Sequence, residues 1–417
     1  MAPSPITATS SRTAMPDRLP SYAEHPRCRH TNLAAGPRRL VEHGWNQVPG
    51  QGRQPSSSRA RAPLPTVGRS WTRRRRMTTE QIDLGTADTA QPWRVIDIVG
   101  GYRRALAVLG AWRLDVFTEL GHGPRSARQL AEKLGLHREA LRDLLHALAG
   151  LDLVTLDEHG DYTLTPHAHC LVPDRPGYIG GFLDNQENEV HPAWRGLADT
   201  LRTGLPTPRD DDSPYTPMYA SQEQRDGFLD AMDFIVAPLA RQLAARDWSR
   251  FRTVLDVGGA RGSLATTLVE AHPHLRATVF DLPELAPAFA RFTAGRESAD
   301  RLGFEGGDFF RDPLPRADAV ILGHVLHNWP PDVRRSLIRS AADAVNPGGA
   351  LLIYDAMLDE DTPRLINALL SLDMRMWSGG SQYLADDCVA WLTEAGFQNV
   401  ERHPHGASSS LVVGHKP

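Results

Sequence analysis

The sequence predicts an α/β fold, with a wound parallel sheet over residues 246–417 behind a helical region over 94–245. Three observations predict it. Short β-branched and aliphatic runs at 253–257, 276–280, 319–322 and 351–354 alternate with stretches of helical spacing, the pattern of successive βαβ units. The first run empties into Gly258-Gly-Ala-Arg-Gly262, where glycines let backbone approach a ligand and the next helix offers unpaired N–H groups. Acids or histidines stand just past the later runs: Asp281, Asp308, His324 with His327, and Asp355. In such sheets ligands bind outside the carboxyl ends of the strands.

At 417 residues the chain has room for two or three domains. No apolar run reaches the roughly eighteen residues of a membrane span. Cys28, Cys170 and Cys388 are scattered, which fits a reducing cytoplasm and argues against a disulfide framework. A net charge of −4 hides an asymmetry. Residues 1–76 hold 14 Arg, no Lys and 3 acids, for a net of +11, while the remainder nets −15. Rich in Pro, Ser and Gly and without apolar periodicity, this basic extension is expected to be disordered. A nucleic-acid or targeting patch at Arg73-Arg-Arg-Arg76 and a transit peptide compete with a blander reading. In that preferred reading the folded protein starts at Met77, with 77–93 as linker.

Between 94 and 120, Val95, Ile98, Val99, Tyr102, Leu106 and Leu109 recur at helical spacing. Short helices at 126–135 and 137–150, then a hairpin of 153–156 and 162–165, follow the order of a winged helix, an arrangement that often reads DNA. Charge argues against that use. Over 126–165 four basic residues face seven acids, and a net of −3 repels phosphates, whose neutralisation supplies most non-specific affinity. The domain therefore reads as structural, and His167-Ala-His169-Cys170 as its surface. Residues 178–245 are mostly helical, and two stretches, 180–186 and 228–234, mix amides, aromatics and methionine as a core does. Later helices are expected at 332–345, 364–377 and 385–395, and closing strands at 397–402 and 410–414.

Taken in order, Leu255-Asp-Val-Gly-Gly259, Phe280-Asp-Leu-Pro283, Gly307-Asp-Phe-Phe310, Val325-Leu-His-Asn-Trp329 and Asn346-Pro-Gly-Gly349 form a set that resembles one family. It is that of the S-adenosylmethionine-dependent small-molecule O-methyltransferases, the plant caffeic-acid type and its bacterial secondary-metabolism relatives. The resemblance covers roughly residues 94–417. It implies a Rossmann-like class I methyltransferase domain behind a winged-helix-like dimerisation domain, and a homodimer. It further implies S-adenosyl-L-methionine as cofactor and a hydroxyl of an aromatic small molecule as acceptor. By the same resemblance the cofactor falls to Asp256, Gly258, Gly259, Gly262, Asp281, Leu282, Asp308, Phe309 and Gly323. Asn185, Phe228, Met232, Asn328, Met374 and Trp377 fall to the acceptor. His327 matches the catalytic base, and an imidazole of ordinary pKa near ~6.5 suits a phenol. Asp355 and Gln382 match its two orienting partners.

Departures from the family pattern cluster at the catalytic tips. Asp355 is shorter than the usual Glu, Gln382 replaces a second acid, and Asn328 stands where Asp is usual. Gly323 replaces a plant lysine, and Ala260 a motif glycine. C- or N-methylation on the same fold therefore stays open, as does a cofactor-binding homologue or regulator that transfers nothing. His324 and His327 are three apart and can share a metal if helical, but the sequence shows no third ligand, and no metal is expected. Neither nucleic acid nor a membrane is expected as partner.

Overall fold

The structure, a computed structural model, describes residues 92–207, 222–359 and 364–417. The basic extension 1–76 and its junction at Met77 lie outside the described residues. No helix among the described residues is long and apolar enough to cross a membrane.

The amphipathic stretch expected over 94–120 is divided into helices Pro92–Gly100, Tyr102–Arg113 and Val116–Gly121. Gly101 separates the first two, and Asp115, held in the left-handed region at φ +56°, separates the last two. No side chain of Pro92–Gly100 is buried: Trp93 is 65% exposed and Ile98 69%. Downstream, Ser126 and Gln129 close a reciprocal capping box that starts the Ala127–Leu134 helix. The hairpin strands β2 (Val154–Leu156) and β3 (Asp161–Leu164) gain a partner the sequence did not announce, β1 (Arg125–Ser126), which pairs antiparallel with β3. Leu130, Leu141, Leu145, Leu148 and Tyr162 fill the core beneath them with Phe117.

Two helices then lead to the site. Gly180–Asn185 and Gln222–Ala244 cross backbone against backbone, because a Cβ on Gly181 would fall 1.8 Å from the Gly227 carbonyl oxygen. The main sheet contains β4 (Thr253–Val257), β5 (Arg276–Asp281), β6 (Leu302–Gly306), β7 (Ala317–Gly323), β8 (Val345–Asp355), β9 (Gln398–His405) and β10 (Ser409–His415). Its order is β6-β5-β4-β7-β8-β10-β9, parallel through β8 and antiparallel beyond. From β4 the chain winds outward through β5 and β6, then returns to β7 on the other side. The winding direction reverses there, so the crevice above β4 and β7 is where this architecture receives a ligand. Both faces of the sheet are covered, which is why its central strands are mostly apolar, Asp256 and Asp318 being the acids within β4 and β7. Leu255, Val320 and Ile353 pack under Leu337 and Trp391 on one face; Val254, Val279 and Ile321 pack under Leu243 and Leu268 on the other.

Candidate active site

Past β4 the chain bends through three left-handed residues: Gly258 at φ +73°, Ala260 at +53° and Gly262 at +87°. For Ala260 that conformation costs roughly 1–2 kcal/mol. It aims the Ala260 N–H at Asp281 Oδ2, 2.8 Å away, while the Leu282 N–H donates to Asp281 Oδ1 at 2.7 Å. Two amides thus fix the acid at the tip of β5, and burial lifts its carboxyl to about 6. Asp256, 3% exposed, has an Oδ2 without a hydrogen-bond partner among the described residues. Burial first, and Asp281 second, raise its carboxyl to about 7. A Cβ on Gly258 would meet Val325 Cγ2 at 2.7 Å, and one on Gly259 would meet Asp256 Oδ2 at 2.5 Å. The loop is a backbone cradle beside an orphaned carboxylate, and a nucleoside carrying an ammonium fits it.

Arg261, which the sequence reading passed over, donates to Asp233 Oδ2 and Asp230 Oδ1, each at 2.7 Å, tying the cradle to the Gln222–Ala244 helix. At the tip of β6, Asp308 Oδ1 accepts from the Phe310 N–H (2.9 Å) and the Asp308 N–H donates to Asp312 Oδ2 (2.8 Å). That turn sets Phe309 edge-on to Trp329, ring centroids 6.1 Å apart. The sequence reading quoted Trp329 in its histidine motif without giving it a role; its buried Nε1 has no partner among the described residues.

At the tip of β7, Gly323 is explained by its neighbour. A Cβ there would lie 2.2 Å from Tyr354 Cζ, so the tyrosine of β8 takes the room a lysine would need. His324 then turns the chain at φ +54°, and the 3-10 turn Leu326–Asn328 presents His327. Asn328 Nδ2 donates to the His324 carbonyl at 3.0 Å, so this residue also braces the turn. Gly380 slides beneath it, where a Cβ would stand 2.1 Å from the His327 carbonyl oxygen.

His327 Nδ1 lies 3.3 Å from Asp355 Oδ1 and 2.9 Å from the side-chain amide of Gln382. The sequence named these three together, and the structure brings them together. Asp355 is fully buried; its Oδ2 accepts from the Tyr383 hydroxyl at 2.6 Å, and its Oδ1 has no hydrogen-bond partner among the described residues. Burial pushes His327 down to about 4, opposed by Gln382 and aided by the charge of Arg334. Burial likewise lifts Asp355 to about 6 against the pull of His324. His324 Nδ1 is itself 3.6 Å from Asp355 Oδ1. His324, His327 and Asp355 each offer a ligand atom, all within 4.8 Å of one another, so the third ligand missing from the sequence reading is Asp355. His167 and His169 join no such group among the described residues.

On the acceptor side, Asn185 ends the helix that crosses the one carrying Phe228 and Met232. Met374 and Trp377 belong to the Leu365–Trp377 helix, which touches the His327 turn and is held by Trp194 Nε1 donating to Asp373 Oδ1 at 2.6 Å.

A wound sheet with a glycine cradle, an acid on the next tip and a histidine–carboxylate pair across the switch point defines a methyltransferase of class I. A family model for the O-methyltransferase domain matches residues 194–398, and one for the O-methyltransferase dimerisation domain matches 96–174. The tetracenomycin polyketide synthesis 8-O-methyl transferase of Streptomyces glaucescens is 39% identical over 333 residues, 78% of this chain and 97% of the relative. An N,N-dimethyltransferase of Streptomyces rimosus is 34% identical, covering 79% of this chain and 98% of its own. Human N-acetylserotonin methyltransferase, solved in complex with S-adenosylmethionine, superposes with a TM-score of 0.71 at 28% identity, over 80% of this chain and 99% of that one. This chain belongs to the O-methyltransferase family.

Proposed function

We propose that the protein transfers a methyl group from S-adenosylmethionine to a hydroxyl of an aromatic small molecule of secondary metabolism, with His327 as general base. The observation that carries this reading is the bond pattern at His327 Nδ1. Asp355 Oδ1, buried and without a hydrogen-bond partner among the described residues, lies 3.3 Å from that nitrogen and favours a proton on it. Gln382 Oε1 is buried without a partner as placed, and exchanging the two ends of the amide makes it a second acceptor for that proton. With both oxygens turned to it, Nδ1 would carry the proton and Nε2 would keep its lone pair for the acceptor's proton. S-adenosylmethionine supplies an electrophilic methyl group. The protein's part is to hold donor and acceptor in line and remove the hydroxyl proton. Asp281 would hold the ribose hydroxyls, the amides and glycines of 258–262 the methionine end, with Asp256 facing its ammonium, and Phe309 the adenine. Asn185, Phe228, Met232, Met374 and Trp377 would line the acceptor.

Incubating the protein with methyl-labelled S-adenosylmethionine and a panel of hydroxynaphthoates and hydroxyanthraquinones is expected to yield O-methylated product by mass spectrometry and NMR. Label only on nitrogen or carbon, or none despite tight S-adenosylhomocysteine binding, would refute the reading. A second reading has one observation behind it, the His324–His327–Asp355 group, which is able to take a divalent metal and assist C-methylation. It predicts activity abolished by a chelator and restored by metal, with His324→Ala as damaging as His327→Ala.

The exposed apolar side chains of Pro92–Gly100, Tyr102 and Leu106 fit a homodimer built through this region, inside the segment matched as a dimerisation domain. Sedimentation is expected to give a dimer, and Ile98→Asp with Val99→Asp to give monomer; a monomeric wild type would sink the assignment. The free, scattered thiols support a cytoplasmic location.

A further inference from the structure

We propose that Arg334 is a positioning residue for methyl transfer, setting His327 and Gln382 in register through one guanidinium; the proposal rests on His327 acting as base. Arg334 opens the Pro331–Ala344 helix and is 2% exposed. Its Nε donates to the carbonyl of Leu326, the residue before His327, at 3.0 Å. Its Nη2 donates to the carbonyl of Ser381, the residue before Gln382, at 2.6 Å, and to Ser381 Oγ at 3.0 Å. The guanidinium also lies 4.8 Å from the centroid of the Tyr383 ring, whose hydroxyl donates to Asp355 Oδ2. One side chain therefore touches the segment of the base, the segment of one orienting partner, and the ring that holds the other.

For folding alone the placement is poor. All three hydrogen bonds go to neutral oxygens; among the described residues no carboxylate bonds the guanidinium directly, and Asp355 and Asp387 offset its charge only from a distance, so a buried cation placed this way adds little net stability. The first turn of a helix is moreover the end that repels positive charge. What the guanidinium adds is a rigid fork of directed donors, fixing the spacing between two distant stretches of chain. Without it, Gln382 and the His327 ring lose their fixed separation, and misplacement of a catalytic group lowers rate more than it lowers binding.

The test compares Arg334→Met and Arg334→Lys with Leu337→Ala, a buried neighbour on the same helix. Each is made in wild type and in His327→Ala, and assayed with the best phenol of the panel well below melting. Arg334→Met is expected to lose about 10–100-fold in kcat. Its KM for S-adenosylmethionine and its S-adenosylhomocysteine affinity should stay within about twofold. Arg334→Lys keeps the charge without the fork and should fall between, while Leu337→Ala should lower Tm and keep kcat. In the His327→Ala background Arg334→Met should cost nothing further, since the two act through one step. An acceptor-free readout is the ¹⁵N spectrum of His327 in the S-adenosylhomocysteine complex, where one tautomer in wild type should become a mixture in Arg334→Met. Unchanged kcat, an equal loss in the His327→Ala background, an equal loss in Leu337→Ala, or an unaltered His327 spectrum would each overturn the proposal. Full activity in His327→Ala removes the base and this proposal together. Loss there with none in Arg334→Met removes this proposal alone.

Discussion

Replacing His327 by alanine is expected to lower kcat by ~10²–10⁴-fold, the usual contribution of a positioned general base. Affinity for S-adenosylhomocysteine should hardly change, because the proposed ribose and adenine contacts lie on the tips of β5 and β6. The pH profile separates this outcome from mere damage. The working form is the neutral imidazole, and burial pushes the group below its ordinary value to about 4, so the neutral form persists to lower pH than usual. Rate should therefore fall as pH drops through about 4 and run level towards neutrality, with that limb missing in the variant. Asp355→Asn should give a smaller loss, since it orients the ring and does not carry the acceptor's proton. A His327→Ala enzyme with near-full kcat would make the histidine structural and the acceptor a ready nucleophile, such as an amine.

Asp281→Ala should weaken S-adenosylhomocysteine binding by roughly 1.5–3 kcal/mol, the scale for removing a partner from a buried polar group. The carboxylate acts on both sides. It would accept the ribose hydroxyls, and it already accepts the Ala260 and Leu282 amides that shape the cradle. Removing it leaves those amides unpaired and relaxes the left-handed Ala260, so Tm should fall as well. Calorimetry decides, and an unchanged affinity would discard the ribose assignment.

The strands and their tips were legible because parallel strands covered on both faces must be apolar, and a chain leaving them must turn. Less legible was whatever depends on register. Gly323 pairs with Tyr354 across β7 and β8, so the residues that follow them, His324 and Asp355, become neighbours. Nothing in their separation along the chain says so, and for the same reason Asp355, expected beside His327, was not seen to reach His324 as well. The filling of Gly323's space by Tyr354 is hidden likewise. β1 is two residues long, too short for any alternation to register. Arg334 looked like one more charge in a Pro-Pro-Asp-Val-Arg-Arg run, and only the approach of 381–383 reveals what it holds. Asp115 carried no mark of its left-handed backbone, so one helix was expected where three stand.

The burial of His327 bears on which hydroxyls the enzyme can choose. Burial holds the conjugate acid of His327 below its ordinary value, so transfer of a proton from an ordinary phenol of pKa ~10 would run uphill if the proton moved alone. Proton loss must then keep pace with carbon–oxygen bond formation, and an acceptor that is already acidic needs less help. Ring systems with a carbonyl or quinone conjugated to the hydroxyl should be methylated fastest. On a polyhydroxylated acceptor, regiochemistry should follow the most acidic oxygen that reaches Nε2, so the electronic character of the acceptor shares with pocket shape the task of selecting the product.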